Sequence, residues 1–201
     1  PFWLAGSYAD PEKLEEALRL GASGVQIGTA FAFCEESGID PQLKARVIAL
    51  AQAGTATVYT DPTASPTGFP FKVLQSAQML SSEADPQRPR LCDVGYLREI
   101  VRSDDGKLVY RCAAEPLAQY LAKGGLAADT DRRLCLSNGL LATACLGQTG
   151  PEGGMQLPLV TAGLDVSRLA RFLKPGTSTY TAADVIRHVT RGAEHGQESG
   201  V

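Results

Sequence analysis

Histidine is scarce in this chain, with only His188 and His195, and no run of lysine or arginine appears. The formal net charge is -3 and the sequence pI is near 5.4. An acidic chain without a basic stripe has no footprint for a nucleic acid or an anionic membrane surface, so neither is an expected partner. No stretch approaches the roughly 18 unbroken apolar residues that a spanning helix requires. The first residues, Pro1-Phe2-Trp3-Leu4, lack a Met and the basic region of a signal peptide, and they read as a strand cut off from something upstream. The five cysteines, Cys34, Cys92, Cys112, Cys135 and Cys145, form no C-x-x-C pair and have no histidine nearby. They argue for reduced, mostly buried thiols in a cytoplasmic protein, and no metal site is expected.

What is present suffices for a globular fold, since 44% of the 201 residues are hydrophobic. Phe2 to Ala5 reads as a short strand broken by Gly6-Ser7. Asp10 followed by Pro11 is a helix start, with Leu14, Ala17 and Leu18 on one face and Gly21 as the stop. Gly24-Val25-Gln26-Ile27 then forms a second strand that ends at Gly28-Thr29, completing a β-α-β unit of parallel type. Asp40-Pro41 starts another helix, carrying Leu43, Val47, Ile48 and Leu50, and Gly54 closes it. Two βα units therefore stand side by side. Beyond them the order loosens. A strand is expected over Thr55 to Tyr59, a proline-rich loop over Asp61 to Pro70, and a short helix from about Val73 to Ser82, ended by Asp85 to Pro89. Asp105-Gly106 predicts a hairpin turn, Glu115 to Lys123 a helix closed by Gly124-Gly125, and Thr181 with Asp184 the cap of a last amphipathic helix. Gln148 to Gln156 is flexible in composition, and the end from Glu194 is expected to fray.

Gly6-Ser7 and Gly28-Thr29 are the residues that carry chemistry. Each pair sits where a parallel strand stops and the next helix has not begun, one ordinary βα unit apart. Glycine there lets backbone N–H groups approach an anion, and the Ser and Thr hydroxyls add donors, an arrangement suited to a phosphomonoester. In a (β/α)8 barrel such a site lies in the loops after the last two strands. Glycines at strand ends also serve turns and tight packing alone. Gly21 and Gly24 are of that kind: they precede the second strand, which excludes a Rossmann G-x-G-x-x-G reading.

Gly21-Ala22-Ser23-Gly24-Val25-Gln26-Ile27-Gly28-Thr29-Ala30-Phe31, with Leu4-Ala5-Gly6-Ser7 one unit earlier, closely resembles the final barrel units of the nitronate monooxygenases, once called 2-nitropropane dioxygenases. The similarity continues through Phe33 to Gly38 and Ser65 to Lys72, and more loosely around Cys112, Gly124-Gly125 and Asn138-Gly139. The resemblance implies an α/β fold: the last two βα units of a TIM (β/α)8 barrel over residues 1–54, an incomplete barrel, followed by an α+β extension over 55–201. It implies FMN as cofactor, its phosphate held by Gly6, Ser7, Gly28 and Thr29 with Gln26 near the flavin, in an oxidoreductase acting on a small organic substrate such as a nitronate. The glycine motif is shared with flavin-dependent enoyl reductases of the same barrel type. Where many relatives have Ala-Gly-Gly, this chain has Ala5-Gly6-Ser7; serine can still donate its N–H, so binding survives if its φ is negative.

The family's flavin-ring contacts and catalytic histidine come from earlier barrel units, so the catalytic residues are unknown here. The chain alone is expected to be an inactive fragment that self-associates, including as a homo-oligomer. His188, beside Val185 and Val189 on a helix, reads as a packed or surface histidine, and Cys34 as a small buried hydrophobe. Glu35 and Glu36 are adjacent and rarely share a cleft. Tyr8 and Phe31 read as core, and Asp104-Asp105-Gly106 as a turn lacking the further ligands of a calcium loop. A non-catalytic phosphate-binding or interaction module is the alternative function.

Overall fold

Strand β1 (Trp3–Ala5) pairs in parallel with β2 (Gly24–Gln26), setting Trp3 opposite Gly24, Leu4 opposite Val25 and Ala5 opposite Gln26. The computed structural model describes residues 1–62, 64–75, 90–103, 105–150 and 155–191. Its remaining elements are α1 (Pro11–Arg19), α2 (Thr29–Ala32), α3 (Pro41–Gln52), β3 (Thr57–Asp61), β4 (Phe71–Gln75), β5 (Glu99–Arg102), β6 (Leu108–Arg111), α4 (Leu117–Ala122), α5 (Leu136–Thr143) and α6 (Ala182–Thr190), with 3₁₀ turns over Ala127–Thr130 and Leu164–Phe172. The class is mixed α/β. The sheets are two-stranded, and no closed barrel forms among the described residues. The chain divides into two units, Pro1–Val58 with Ala162–Val201, and Tyr59–Thr161.

In the first unit, α1 supplies the crossover that parallel pairing demands. Gly24 is fixed by packing, because a Cβ there would come within 3.2 Å of the Trp3 ring. Asp10 holds the N-cap position before Pro11, as expected, yet its side chain caps nothing. Its carboxylate meets Arg168 at 2.7 Å, Arg171 at 3.4 Å and His188 at 3.5 Å instead. A buried carboxylate gains more from guanidinium partners than from one neutral N–H. Of the expected apolar face of α1, Ala17 is fully buried, whereas Leu18 is 48% exposed. The helix packs on β2 and α6 along the line of Ala17, so its other flank stays in water.

Helix α3 begins at Asp40, whose Oδ1 accepts the Leu43 N–H at 2.9 Å. Leu43, Val47, Ile48 and Ala51 are buried, and Leu50 is only half-buried. Lys44 is buried among them, 8% exposed. Its Nζ donates to the carbonyls of Cys34 (3.1 Å), Glu35 (2.9 Å) and Ser37 (3.0 Å), which tie the loop after α2 onto α3. Three donors meeting three acceptors is the full capacity of an ammonium.

The single extension expected from residue 55 is divided in the structure, because residues from Ala162 onward return to the first unit. The physical reason is the apolar surface of α1 and α3, which needs a cover. Val166, Leu169 and Phe172 from the 3₁₀ segment and Val185 and Val189 from α6 provide it. Tyr180 closes this core, its hydroxyl donating to the Ala30 carbonyl at 2.7 Å. Helix α6 starts with the expected reciprocal Thr181–Asp184 cap.

In the second unit, β3 lies two residues later than expected and pairs with β4. The helix expected over Val73 to Ser82 is corrected at its start: Val73, Leu74 and Gln75 end β4, and the Leu74 N–H donates to the Val160 carbonyl at 2.9 Å. Tertiary pairing overrides local helix propensity there. The rest of that segment, the stop at Asp85 to Pro89, and His195 with the end expected to fray lie outside the described residues. Within the loop expected over Asp61 to Pro70, Asp61 Oδ1 accepts the Ala64 N–H and Arg133 donates to the Ser65 carbonyl at 2.6 Å. Around the compositionally flexible Gln148 to Gln156, the Gln156 N–H donates to the Gln148 carbonyl at 2.7 Å. Strands β5 and β6 form the expected hairpin, with Gly106 at φ +82°. Ala64, Val73, Leu134, Leu136 and Leu159 make the core.

Lys44→Met keeps the length of the side chain and removes all three loop contacts. Urea unfolding is expected to show a loss of about 1–3 kcal/mol, the usual penalty for orphaned buried acceptors. An unchanged midpoint would show that water satisfies those carbonyls.

Candidate functional site

The register of β1 and β2 sets Ala5 beside Gln26, and both strands run the same way. Gly6-Ser7 and Gly28-Thr29 therefore emerge at one edge of the pair. Gly6, Ser7, Gln26 and Gly28 are exposed, whereas Thr29 is buried. Gly28 stands at the N-terminal end of α2 with φ -99°, and a Cβ added to it would meet nothing within 4 Å. Among the described residues, neither backbone conformation nor packing demands glycine at that position. Open space lies over it.

Gly6 has φ +92° and Ser7 has φ +62°. The expected negative φ at Ser7 is thus corrected: the residue is left-handed, and it keeps its backbone N–H in that conformation. The chain needs two successive left-handed residues to turn from β1 toward α1, and serine occupies one of them at a cost of about 1–2 kcal/mol. Strain of this kind concentrates at ligand-gripping loops.

Thr29 is held from the C-terminal part of the same unit. Its Oγ1 accepts the Gly163 N–H at 2.9 Å, and a Cβ at Gly163 would lie 2.9 Å from that oxygen and 2.7 Å from Asp165 Oδ1. A threonine hydroxyl that accepts one bond still has its hydrogen to donate. Gly163 is the residue that sequence reasoning missed. It lies 134 positions from Thr29, and no local pattern marks it.

The remaining candidates have structural partners. Cys34 donates to the Phe31 carbonyl at 3.1 Å, and burial pushes its thiol pKa up. Glu35 accepts from the Thr179 hydroxyl, and Glu36 accepts the Ala182 N–H at 2.9 Å, so the two carboxylates do not act as a pair. The Ala182 N–H holds the Glu36 carboxyl below its usual range. His188 stacks edge-on against Phe172, with ring centroids 5.1 Å apart, and faces Asp10. Tyr8 has Lys13 above its ring at 5.8 Å.

Residues 1–87 match the family model described as nitronate monooxygenase. A protein of Bacillus subtilis (strain 168) named "Probable nitronate monooxygenase" is 42% identical over 55 residues, which are 27% of this chain and 16% of that protein. The "Nitronate monooxygenase" of Pseudomonas aeruginosa is 29% identical over 124 residues, covering 62% of this chain and 34% of its own length. The chain spans about a third or less of the curated relatives it matches.

Ser7→Gly removes a Cβ from the left-handed position and is expected to stabilise the chain by about 1 kcal/mol in urea unfolding. Ser7→Ala, which keeps the Cβ, gives no gain. Equal behaviour of the two variants would contradict the strain at Ser7.

Proposed function

We propose, from the nitronate monooxygenase match over residues 1–87, that residues 1–54 are the last two βα units of a flavin-binding barrel. In this reading Gly6, Ser7, Gly28 and Thr29 hold the phosphate of FMN through backbone N–H groups, and Gln26 lies beside the flavin. The observation that carries the reading is Gly28. Its φ is negative and no described residue lies within 4 Å of its Cβ position, which leaves room there for a ligand. The first N–H groups of α2 have no partner within that single helical turn, and in this reading they are donors for the phosphate. The Thr29 hydroxyl, fixed by Gly163, adds a donor of set direction.

FMN bound there supplies electron-accepting chemistry toward a small organic substrate, for which the family's namesake is a nitronate. The chain's own residues grip and orient the phosphate. The curated relatives extend well beyond this span. The walls of the isoalloxazine ring and the catalytic base are assigned to that further length, so residues 1–201 alone have no appreciable turnover and at most weak FMN affinity. The uncovered sheet supports self-association: Phe2 is 47% and Trp3 53% exposed. The free cysteines suit a cytoplasmic setting, and no described helix is long and apolar enough to cross a membrane.

Gly28→Val in the full-length protein tests the assignment, because a branched side chain fills the opening over the N–H groups. FMN affinity measured by fluorescence quenching is expected to fall by about tenfold or more, with the melting temperature of the flavin-free protein unchanged. Unaltered flavin binding would contradict the phosphate site.

A further inference from the structure

The second unit holds a cavity of about 390 Å³ that the flavin reading does not use. Its volume suits a small organic molecule. Arg111, Arg133, Glu99 and Asp129 are its charged lining, and Leu97 and Ala113 belong to its apolar lining. The β5–β6 hairpin places the first ion pair. Its register sets Glu99 directly opposite Arg111, and Arg111 Nε donates to Glu99 Oε1 at 2.8 Å. Arg90 fixes the walls. It donates to the Ala113 carbonyl at 3.2 Å and to the Thr130 carbonyl at 2.7 Å, tying the chain after β6 to the 3₁₀ turn that carries Asp129.

Tyr120 holds the Arg111 guanidinium from a second direction, with its ring centroid 5.1 Å from the guanidinium carbon. The tyrosine is itself buried, and its hydroxyl donates to Asp129 Oδ2 at 3.3 Å. Gly125 lets the ring lie there, because a Cβ at that position would come within 2.2 Å of it. A guanidinium carries five N–H hydrogens. That of Arg111 Nε goes to Glu99, and those on Nη1 and Nη2 make no hydrogen bond among the described residues. Arg133 is differently committed, since its Nη1 donates to the Ser65 carbonyl at 2.6 Å. Arg111 is thus a half-buried cation of fixed orientation, with unspent donors, in the wall of a cavity.

We propose that this cavity binds a small monocarboxylate, its carboxylate gripped by Arg111 Nη1 and Nη2 and its apolar body set against Leu97 and Ala113. Two parallel N–H···O bonds to a planar carboxylate match the fork of a guanidinium whose Nε is already engaged. The charge of the lining selects the charge of the ligand. Glu99 and Asp129 balance Arg111 and Arg133 before a ligand enters, so one negative charge is accepted at the Nη groups and a second is opposed by two carboxylates. A phosphate dianion is disfavoured for that reason, which separates this site from the one proposed at Gly6 and Gly28.

The test titrates the full-length protein with sodium hexanoate, hexanamide and inorganic phosphate while backbone amide chemical shifts are followed. Saturable shifts at Leu97, Glu99, Arg111 and Tyr120 are expected with hexanoate. Hexanamide, which keeps the apolar body and lacks the charge, is expected to bind about tenfold more weakly or worse, and phosphate to leave these amides in place. Arg111→Gln should weaken hexanoate binding by about tenfold or more, and Arg111→Lys, which keeps the charge without the fork, should restore only part of the loss. Arg102→Gln, at the other end of the same hairpin, should leave binding unchanged. If Arg111→Gln fails to fold, the comparison of the three ligands on the unsubstituted protein still decides. Equal binding of hexanoate and hexanamide, shifts that phosphate reproduces, or no saturable shift at these amides would overturn the assignment. None of these outcomes bears on flavin binding at the edge of β1 and β2.

Discussion

Parallel strands cannot be joined by a tight turn, so the pairing of β1 with β2 commits the chain to a crossover helix and sends both strand ends out at the same edge. Everything at the candidate site follows from that commitment. The register that opposes Trp3 to Gly24 carries Gly6 and Gly28 to neighbouring positions without a further contact being needed. The crossover then leaves helix surface to be covered, and the 3₁₀ segment and α6 supply the cover. In arriving there they deliver Gly163 to Thr29, so packing and site geometry have one origin.

The ionic contacts of Asp10 lie where the covering elements meet the first helix. Asp10 gives up its capping bond and faces Arg168, Arg171 and His188, which joins the start of α1 to residues far along the chain. Lys44 acts similarly over a shorter span, holding three carbonyls of the loop after α2. Buried charges are tolerated only when fully partnered, and such partners specify one arrangement among several apolar ones.

The legible parts of the sequence were those encoded within about twenty residues. Pro11 and Pro41 after aspartates, Gly21 and Gly54 as stops, Asp105-Gly106 in the hairpin and Thr181 with Asp184 as a cap each act through their own backbone, and the structure bears them out. Long-range effects were not legible. Val73 to Gln75 are a strand because of pairing with distant chain. Asp10 leaves its cap for arginines more than a hundred residues away, and the C-terminal part packs on the first unit. At the candidate site, the positions of Gly6, Ser7, Gly28 and Thr29 at one edge were readable from the βα spacing, while the left-handed φ of Ser7 and the role of Gly163 were not.

The central claim is that one edge of a two-stranded parallel sheet recognises a phosphomonoester through the backbone of two loops. Backbone amide chemical shifts of residues 1–201, followed during titration with FMN and with riboflavin to millimolar concentrations, test it most directly. The account predicts that the amides of Gly6, Ser7, Gly28 and Thr29 move together with FMN and stay in place with riboflavin, which lacks the phosphate. Equal responses to the two flavins, or shifts confined to other residues, would contradict it.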